Sequence, residues 1–166
     1  MIDRLKLFLC TGGLGLLPKA PGTWGSLAPL LVLLTLGHFG VSPALVMGTL
    51  IAILLSASWV TIALATWYKH YFGKKDPPQV VCDEWAGQSI ALLGMAWIEP
   101  ENHVTPETWI ALAILAFILF RVFDIWKPSL INTIQQLPKG WGVLLDDILA
   151  GIAAGILVSV AAIFLG

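Results

Sequence analysis

The pattern of hydrophobic and polar positions divides the chain into five apolar stretches separated by shorter polar segments. The predicted helices cover residues 27–36, 44–67, 85–98, 108–123 and 146–164. The stretch 44–67 carries no charge and is long enough to cross about 30 Å of hydrocarbon, which predicts a transmembrane helix. The first and third stretches are short for a full crossing, which predicts tilted or re-entrant helices there.

The polar segments between these stretches predict smaller elements. Residues 1–10 have the pattern of a short amphipathic helix or interfacial arm, and residues 68–78 have that of a polar loop. The Pro- and Gly-rich segment 18–26 predicts a loop in which Ser26 caps the first apolar helix. The connector 128–142 contains a predicted amphipathic segment at residues 131–137.

Composition places this pattern in a membrane. The 166 residues are 58% hydrophobic and only 11% charged, and the mean hydropathy is +0.87. These values are too apolar for a soluble domain of this size, so we expect a single domain over residues 1–166, an all-α integral membrane bundle of about five helices. The net charge of −1 gives no basis for a nucleic-acid partner. The sequence leaves the oligomeric state open.

The basic residues predict the orientation of this bundle. If the five helices alternate in direction, all nine fall on the same side, namely Arg4, Lys6, Lys19, Lys69, Lys74, Lys75, Arg121, Lys127 and Lys139. The opposite loops, 37–43 and 99–107, contain no Lys or Arg. Because Lys and Arg are retained in cytoplasmic loops, we expect the N-terminus on the cytoplasmic side and the C-terminus outside.

Three charged motifs converge on that cytoplasmic end. Two acidic pairs are predicted to open the third and fifth helices, and a mixed cluster closes the fourth. The members are Asp83, Glu84, Arg121, Asp124, Lys127, Asp146 and Asp147. Five carboxylates at the hydrocarbon boundary would repel one another without cations, and oxygen-only ligands favour Mg²⁺. We therefore expect the carboxylates to bind Mg²⁺ and the Arg and Lys to bind phosphate oxygens.

Each motif alone has an ordinary structural explanation. An acidic pair at a helix N-terminus is stabilised by the helix dipole, and Arg121 and Lys127 could extend toward lipid headgroups from a membrane helix. Glycines one turn after Asp83 and Asp147, at positions 87 and 151, allow close approach of helices, which packing alone explains. Only the convergence of the charged groups favours a site.

The loop at residues 22–26 is a further candidate for binding. Backbone N–H groups and the hydroxyls of Thr23 and Ser26, near Gly22, are suited to cradling an anion. An ordinary turn explains the same residues, and the pattern alone does not decide between the two.

Several familiar catalytic and nucleotide-binding sites are excluded. A thiol phosphatase needs Arg six positions after its cysteine, and Leu16 and Gln88 occupy those positions after Cys10 and Cys82. The predicted topology separates His38 and His103 from His70, so no histidine pair serves one site. No GxxxxGK[ST] phosphate-binding loop is present.

Four motifs together resemble the phosphatidylglycerophosphatase A family. They are APGTWGSL at residues 20–27, DEWAG at 83–87, RVFDIWKP at 121–128 and GVLLDDILAG at 142–151. The resemblance implies a Mg²⁺-dependent phosphatase of the bacterial cytoplasmic membrane that converts phosphatidylglycerophosphate, a phospholipid substrate in the bilayer, into phosphatidylglycerol. It also implies active-site roles for the seven charged residues and secondary substrate-binding roles for Gly22, Thr23 and Ser26.

The mechanism and two alternative functions stay open at this level. Water is the preferred nucleophile, and an aspartyl-phosphate on Asp83, Asp124, Asp146 or Asp147 is the alternative. A CDP-alcohol phosphotransferase would also hold metal with aspartates, but its DGxxAR and GxxxDxxxD pattern is missing. The second alternative is a non-catalytic module, such as a small transporter or an assembly subunit with a polar cavity.

Overall fold

The chain folds into a bundle of α-helices. The computed structural model describes residues 1–98, 104–126, 137–138 and 140–165, and these ranges contain only helices, turns and short connections. The helices are α1 (Ile2–Thr11), α2 (Pro21–His38), α3 (Pro43–Ala63), α4 (Ala65–Phe72), α5 (Cys82–Leu93), α6 (Pro106–Trp126) and α7 (Trp141–Leu165). A single 3₁₀ turn, Leu14–Leu16, lies between α1 and α2. The predicted all-α fold is confirmed.

Three of these helices are long and apolar enough to cross a membrane. They are α3, α6 and α7, with 21, 21 and 25 residues. Helix α5 has 12 residues and is about 18 Å long at 1.5 Å per residue, well short of a bilayer core. Helix α2, with 18 residues, is also shorter than the three spanning helices. The predicted membrane bundle with two shorter helices is therefore confirmed.

Helix α5 lies in the middle of the bundle, packed against α2, α3, α6 and α7. Its closest neighbour is α7, because glycines face each other across the contact. A Cβ atom at Gly87 would lie 2.5 Å from the backbone oxygen of Asp147, and one at Gly151 would collide with the backbone oxygen of Gly87. Two turns further along α5, a Cβ atom at Gly94 would likewise collide with the backbone oxygen of Gly155. The predicted close approach of helices at positions 87 and 151 is present.

The first apolar helix begins earlier than the sequence pattern predicts. Helix α2 starts at Pro21, so the prediction that Ser26 caps the helix is wrong. Proline fits the first position of a helix because its missing N–H would have no intrahelical partner there. The preceding residue, Ala20, has a left-handed backbone with φ 48°. Ser26 is buried inside the helix, where its hydroxyl donates a hydrogen bond of 2.8 Å to the Gly22 carbonyl.

The fifth predicted helix also begins earlier, at Trp141 instead of residue 146. Asp146 and Asp147 therefore lie in its second turn and do not open it. Because the helix dipole acts mainly within the first turn, N-terminal stabilisation does not explain this acidic pair. At the end of α6 the helix extends through Trp126, so Arg121 and Asp124 are helical residues with fixed directions.

Two other boundaries differ from the prediction. The stretch 44–67 is not one helix, since α3 ends at Ala63 and α4 begins at Ala65, and residues 68–72 are helical where a polar loop is expected. Tyr68 explains part of this difference, because its fully buried side chain packs residues 68–72 against the bundle as a helix. Helix α5 ends at Leu93, before the predicted residue 98. The predicted segment 131–137, except its last residue, lies outside the described residues.

Candidate active site

Four helices bring polar residues to one end of the bundle. The start of α2, the start of α5, the end of α6 and the first turns of α7 surround a cavity of about 340 Å³. The charged residues that line it are Asp76, Asp83, Glu84, Arg121, Asp124, Asp146 and Asp147. Within the described part of the chain the lining thus holds six carboxylates and one guanidinium. The described members of the three charged motifs, all except Lys127, therefore line one cavity.

Three of the carboxylates form a compact cluster. Asp83, Glu84 and Asp147 each offer an oxygen, and these three oxygens lie within 4.8 Å of one another. Asp83 and Asp147 are 5% and 4% exposed. Burying charges this close together is unfavourable because each loses its water and repels the others. A divalent cation among the three oxygens would offset both costs.

The cluster has carboxylate oxygens that are free to bind a cation. Asp83 Oδ1, Glu84 Oε2 and Asp147 Oδ2 are buried and have no hydrogen-bond partner among the described residues. Buried polar atoms normally have a partner. Burial raises the pKa of Asp83 well above its usual range, and the adjacent Glu84 carboxylate adds to this rise. Burial likewise raises the pKa of Glu84, with a further contribution from Asp147. The donor set therefore fits a hard, oxygen-seeking ion such as Mg²⁺.

Arg121 is fixed beside this cluster by two contacts. Its Nη1 forms an ion pair of 2.6 Å with Asp124 Oδ2, one turn along α6. The same nitrogen donates a hydrogen bond of 3.4 Å to the Ser26 hydroxyl. Its Nε is buried and finds no acceptor in the described ranges. A guanidinium held in this way has donors left for a bound anion.

Gly22 allows Glu84 and Arg121 to approach the start of α2. A Cβ atom at this position would collide with Glu84 Oε1 and would lie 3.3 Å from both terminal nitrogens of Arg121. Gly22, with Pro21 and Ala20, lines the cavity. The positive end of the α2 dipole is therefore directed at the same space as the guanidinium.

The other candidate residues occupy different places. Asp146 lines the cavity next to the three-carboxylate cluster. Thr23 is not part of the cavity lining and instead borders a neighbouring apolar groove. Ser26 lies behind Arg121, which it contacts through its hydroxyl. Lys127 lies outside the described residues.

Sequence reasoning missed part of the cavity lining, including one charged residue. Asp76 lines it, although its segment has the pattern of a polar loop. A signal was present, since an acidic residue before Pro77 and Pro78 lies only seven positions ahead of Asp83. Ala20 also lines the cavity, and no feature of an alanine in a sequence predicts its left-handed backbone.

Comparison with known proteins assigns the chain to a family. The model of the family "Phosphatidylglycerophosphatase A" matches residues 7–162. Phosphatidylglycerophosphatase A of Haemophilus influenzae is 34% identical over 95% of this chain and 88% of its own length. The protein of that name from Escherichia coli is 34% identical, covering 93% of this chain and 86% of its own length.

A relative with a different name is equally similar. A putative phosphatidylinositol-3-phosphatase of Bacteroides thetaiotaomicron is 35% identical over 95% of this chain and 93% of its own length. No solved structure matches the chain significantly. The family match spans the carboxylate cluster, Arg121, helices α3 and α6 and all of α7 except its last three residues, and the chain therefore belongs to the phosphatidylglycerophosphatase A family.

Proposed function

We propose that this protein hydrolyses phosphatidylglycerophosphate to phosphatidylglycerol and phosphate, with Mg²⁺ as cofactor, at the cytoplasmic face of a bacterial inner membrane. Family membership supports the reaction. The observation that carries the proposal is the cluster of Asp83, Glu84 and Asp147 beside Arg121, in a cavity at the end of a membrane bundle. A metal ion and a guanidinium in such a place would neutralise the negative charge of a phosphomonoester as it is hydrolysed. The two alternatives, a CDP-alcohol phosphotransferase and a non-catalytic module, find no support in the comparisons.

Asp83, Glu84 and Asp147 are the residues that would hold Mg²⁺. Their unpartnered buried oxygens are hard donors of the kind this ion prefers. When bound, Mg²⁺ supplies Lewis-acid polarisation of the phosphoryl group and neutralises negative charge. Asp124 has one oxygen committed to Arg121, and Asp146 lines the adjacent wall. Asp124 and Asp146 are therefore secondary candidates for binding the ion.

Arg121 binds the phosphoryl oxygens in this proposal. The ion pair with Asp124 and the contact with Ser26 fix the guanidinium before substrate arrives, so little side-chain freedom is lost on binding. The start of α2, at Gly22, adds the positive end of a helix dipole. Lys127 is expected to add a second positive charge. Together these groups stabilise the charge that develops as the phosphorus–oxygen bond breaks.

Water is the preferred nucleophile. It attacks the phosphorus, a cavity carboxylate accepts its proton, and the bond to the glycerol oxygen breaks, so that the glycerol oxygen leaves and takes up a proton. The alternative is attack by an aspartate oxygen, which forms an aspartyl-phosphate that water then hydrolyses. Brief reaction with ³²P-labelled substrate followed by acid quenching distinguishes the two. Label retained on the protein would contradict direct attack by water.

The position of the cavity suits a substrate that stays in the bilayer. All four helices line the cavity at the same end of the bundle, and two of them, α6 and α7, are spanning helices. The acyl chains can therefore stay in the membrane while the phosphate enters the cavity. The cytoplasmic assignment of this end follows from the placement of the nine basic residues.

Purified protein in detergent tests the proposed function. We expect phosphate release from phosphatidylglycerophosphate to require Mg²⁺, to stop with EDTA and to resume when Mg²⁺ is restored. Asp83→Asn and Asp147→Asn should each lower kcat by about 10²- to 10³-fold, because a ligand charge is lost at the reacting group. Glu107→Gln, at an exposed position in the first turn of α6, is the matched control and should stay within about twofold.

The lipid panel of this assay includes phosphatidylinositol 3-phosphate, because a relative carries the name of a phosphatase for that lipid. Faster hydrolysis of the inositol lipid than of phosphatidylglycerophosphate would replace the proposed substrate. Folded protein that releases phosphate from none of these lipids under any divalent metal would favour a non-catalytic module.

A further inference from the structure

A second concave surface lies beside the carboxylate cavity. It is a groove of about 420 Å³ between the start of α2 and the last turns of α6. Its lining is apolar except for Thr23 and Arg121, and it includes Ile118, Val122, Ile125 and Trp126. The proposed hydrolysis takes place at the carboxylates and does not use this groove. The apolar lining of the groove therefore needs a separate explanation.

The groove and the cavity share a wall. Arg121 and Ile125 line both, so a molecule whose phosphate contacts Arg121 has its apolar part next to the groove. On α6, Phe117 and Ile118 lie about one turn before Arg121, whereas Trp126 lies beyond it at the end of the helix. Ile118 is seven residues before Ile125, about 10 Å along the helix axis. Because α6 is a spanning helix, this direction leads from the cavity toward the bilayer centre.

The groove residues are open to the surroundings of the bundle. Ile118 and Val122 are 49% and 47% exposed, and Ile125 and Trp126 are 70% and 75% exposed. They repeat at spacings of three and four residues, which places them along one side of α6. A single apolar chain that enters at Arg121 and runs along the helix would cover this side.

We propose that this groove binds an acyl chain of the phospholipid whose phosphate enters the carboxylate cavity. This inference rests on the proposed function and extends it from the headgroup to the lipid tail. The continuity of the two surfaces at Arg121 and Ile125 assigns the groove to the substrate and not to a bystander lipid. The bound acyl chain orients the phosphate toward Arg121, because the substrate is then held at both its headgroup and its tail.

Filling the groove tests the proposal. Ile118→Trp places a larger side chain in it, and Ile110→Trp is the matched control, since Ile110 lies on the same helix with 44% exposure and does not line the groove. Each variant is assayed with dioleoyl phosphatidylglycerophosphate in mixed micelles and with the soluble dibutyryl form. The dibutyryl form has the same headgroup and ester bonds, but its four-carbon chains cover only a small part of the groove that an oleoyl chain would fill.

We expect Ile118→Trp to raise KM for the dioleoyl substrate at least fivefold with kcat unchanged, and to leave both constants for the dibutyryl substrate within twofold. Ile110→Trp should change neither. Ile118→Phe is the second variant, should Ile118→Trp not fold, and should give the same contrast with a smaller rise in KM. Equal losses on both substrates, or no change on either, would overturn the groove assignment. If the unmodified protein hydrolysed neither substrate, the proposed function would be overturned instead.

Discussion

At the scale of single residues, the site depends on how one guanidinium is oriented. Arg121 contacts Asp124 on its own helix and Ser26 on α2. The Ser26 hydroxyl in turn donates to the Gly22 carbonyl, so the three residues are connected to the start of α2. This arrangement fixes the planar donors of an arginine more effectively than it could fix a lysine ammonium group.

Replacing Arg121 by lysine should therefore impair the enzyme although the charge is kept. We expect Arg121→Lys to lower kcat/KM about 10- to 100-fold, corresponding to about 1.5–3 kcal/mol of hydrogen bonding to charged groups. The measurement is phosphate release under saturating Mg²⁺. The control Arg4→Lys, at an exposed position of α1, should have no effect. Equal activity of the two variants would show that charge alone suffices at position 121.

At the scale of elements, the carboxylate cluster depends on the distance between α5 and α7. Asp83 and Glu84 belong to α5, and Asp147 belongs to α7. The glycines at 87 and 151 let the two backbones touch one turn below these carboxylates. Any side chain there would separate the helices and move Asp147 away from its two partners.

A methyl group at Gly87 should be enough to disturb this contact. We expect Gly87→Ala to cost about 1–3 kcal/mol through overpacking, to lower Tm by several degrees and to reduce phosphatase activity. The control is Gly48→Ala in α3, where an added Cβ meets nothing within 4 Å. Alanine is the better helix former, so this control should be neutral or more stable. Thermal unfolding in detergent measures both, and an unchanged Tm for Gly87→Ala would contradict the packing argument.

At the scale of the whole molecule, the orientation of the protein in the membrane determines on which side of the bilayer the lipid headgroup reaches the cavity. The cavity lies at the end where α2, α5 and α7 begin and α6 ends. The loop with Lys74 and Lys75 comes directly before Asp76, which lines the cavity. The positive-inside rule therefore predicts a cytoplasmic active site.

Cysteine labelling tests this orientation. Cys10 and Cys82 are fully buried, so the unmodified protein should react little with a membrane-impermeant maleimide. We expect Lys75→Cys to be labelled in inverted vesicles only, and Ser42→Cys, in the connection between α2 and α3, to be labelled in right-side-out vesicles only. Both positions are exposed. The opposite pattern would place the active site outside the cell.

The sequence alone predicts the all-α membrane fold and the meeting of Asp83, Arg121 and Asp147 at one end of the bundle. Apolar stretches of sufficient length can only be satisfied in a bilayer as helices, and alternating directions bring Asp83, Arg121 and Asp147 to the same end. These features follow from local pattern and from counting crossings, which need no three-dimensional information.

The assembly of the site depends on tertiary packing that the sequence pattern does not reveal. Three of the five candidate carboxylates form a compact cluster because α5 and α7 approach each other closely. The residues that meet in this way are about 60 positions apart in the chain. The same holds for the role of Ser26 behind Arg121, for Asp76 in the lining and for the groove that contains Thr23. Side-chain contacts of this kind arise from packing between distant segments, and a local sequence pattern carries no information about them.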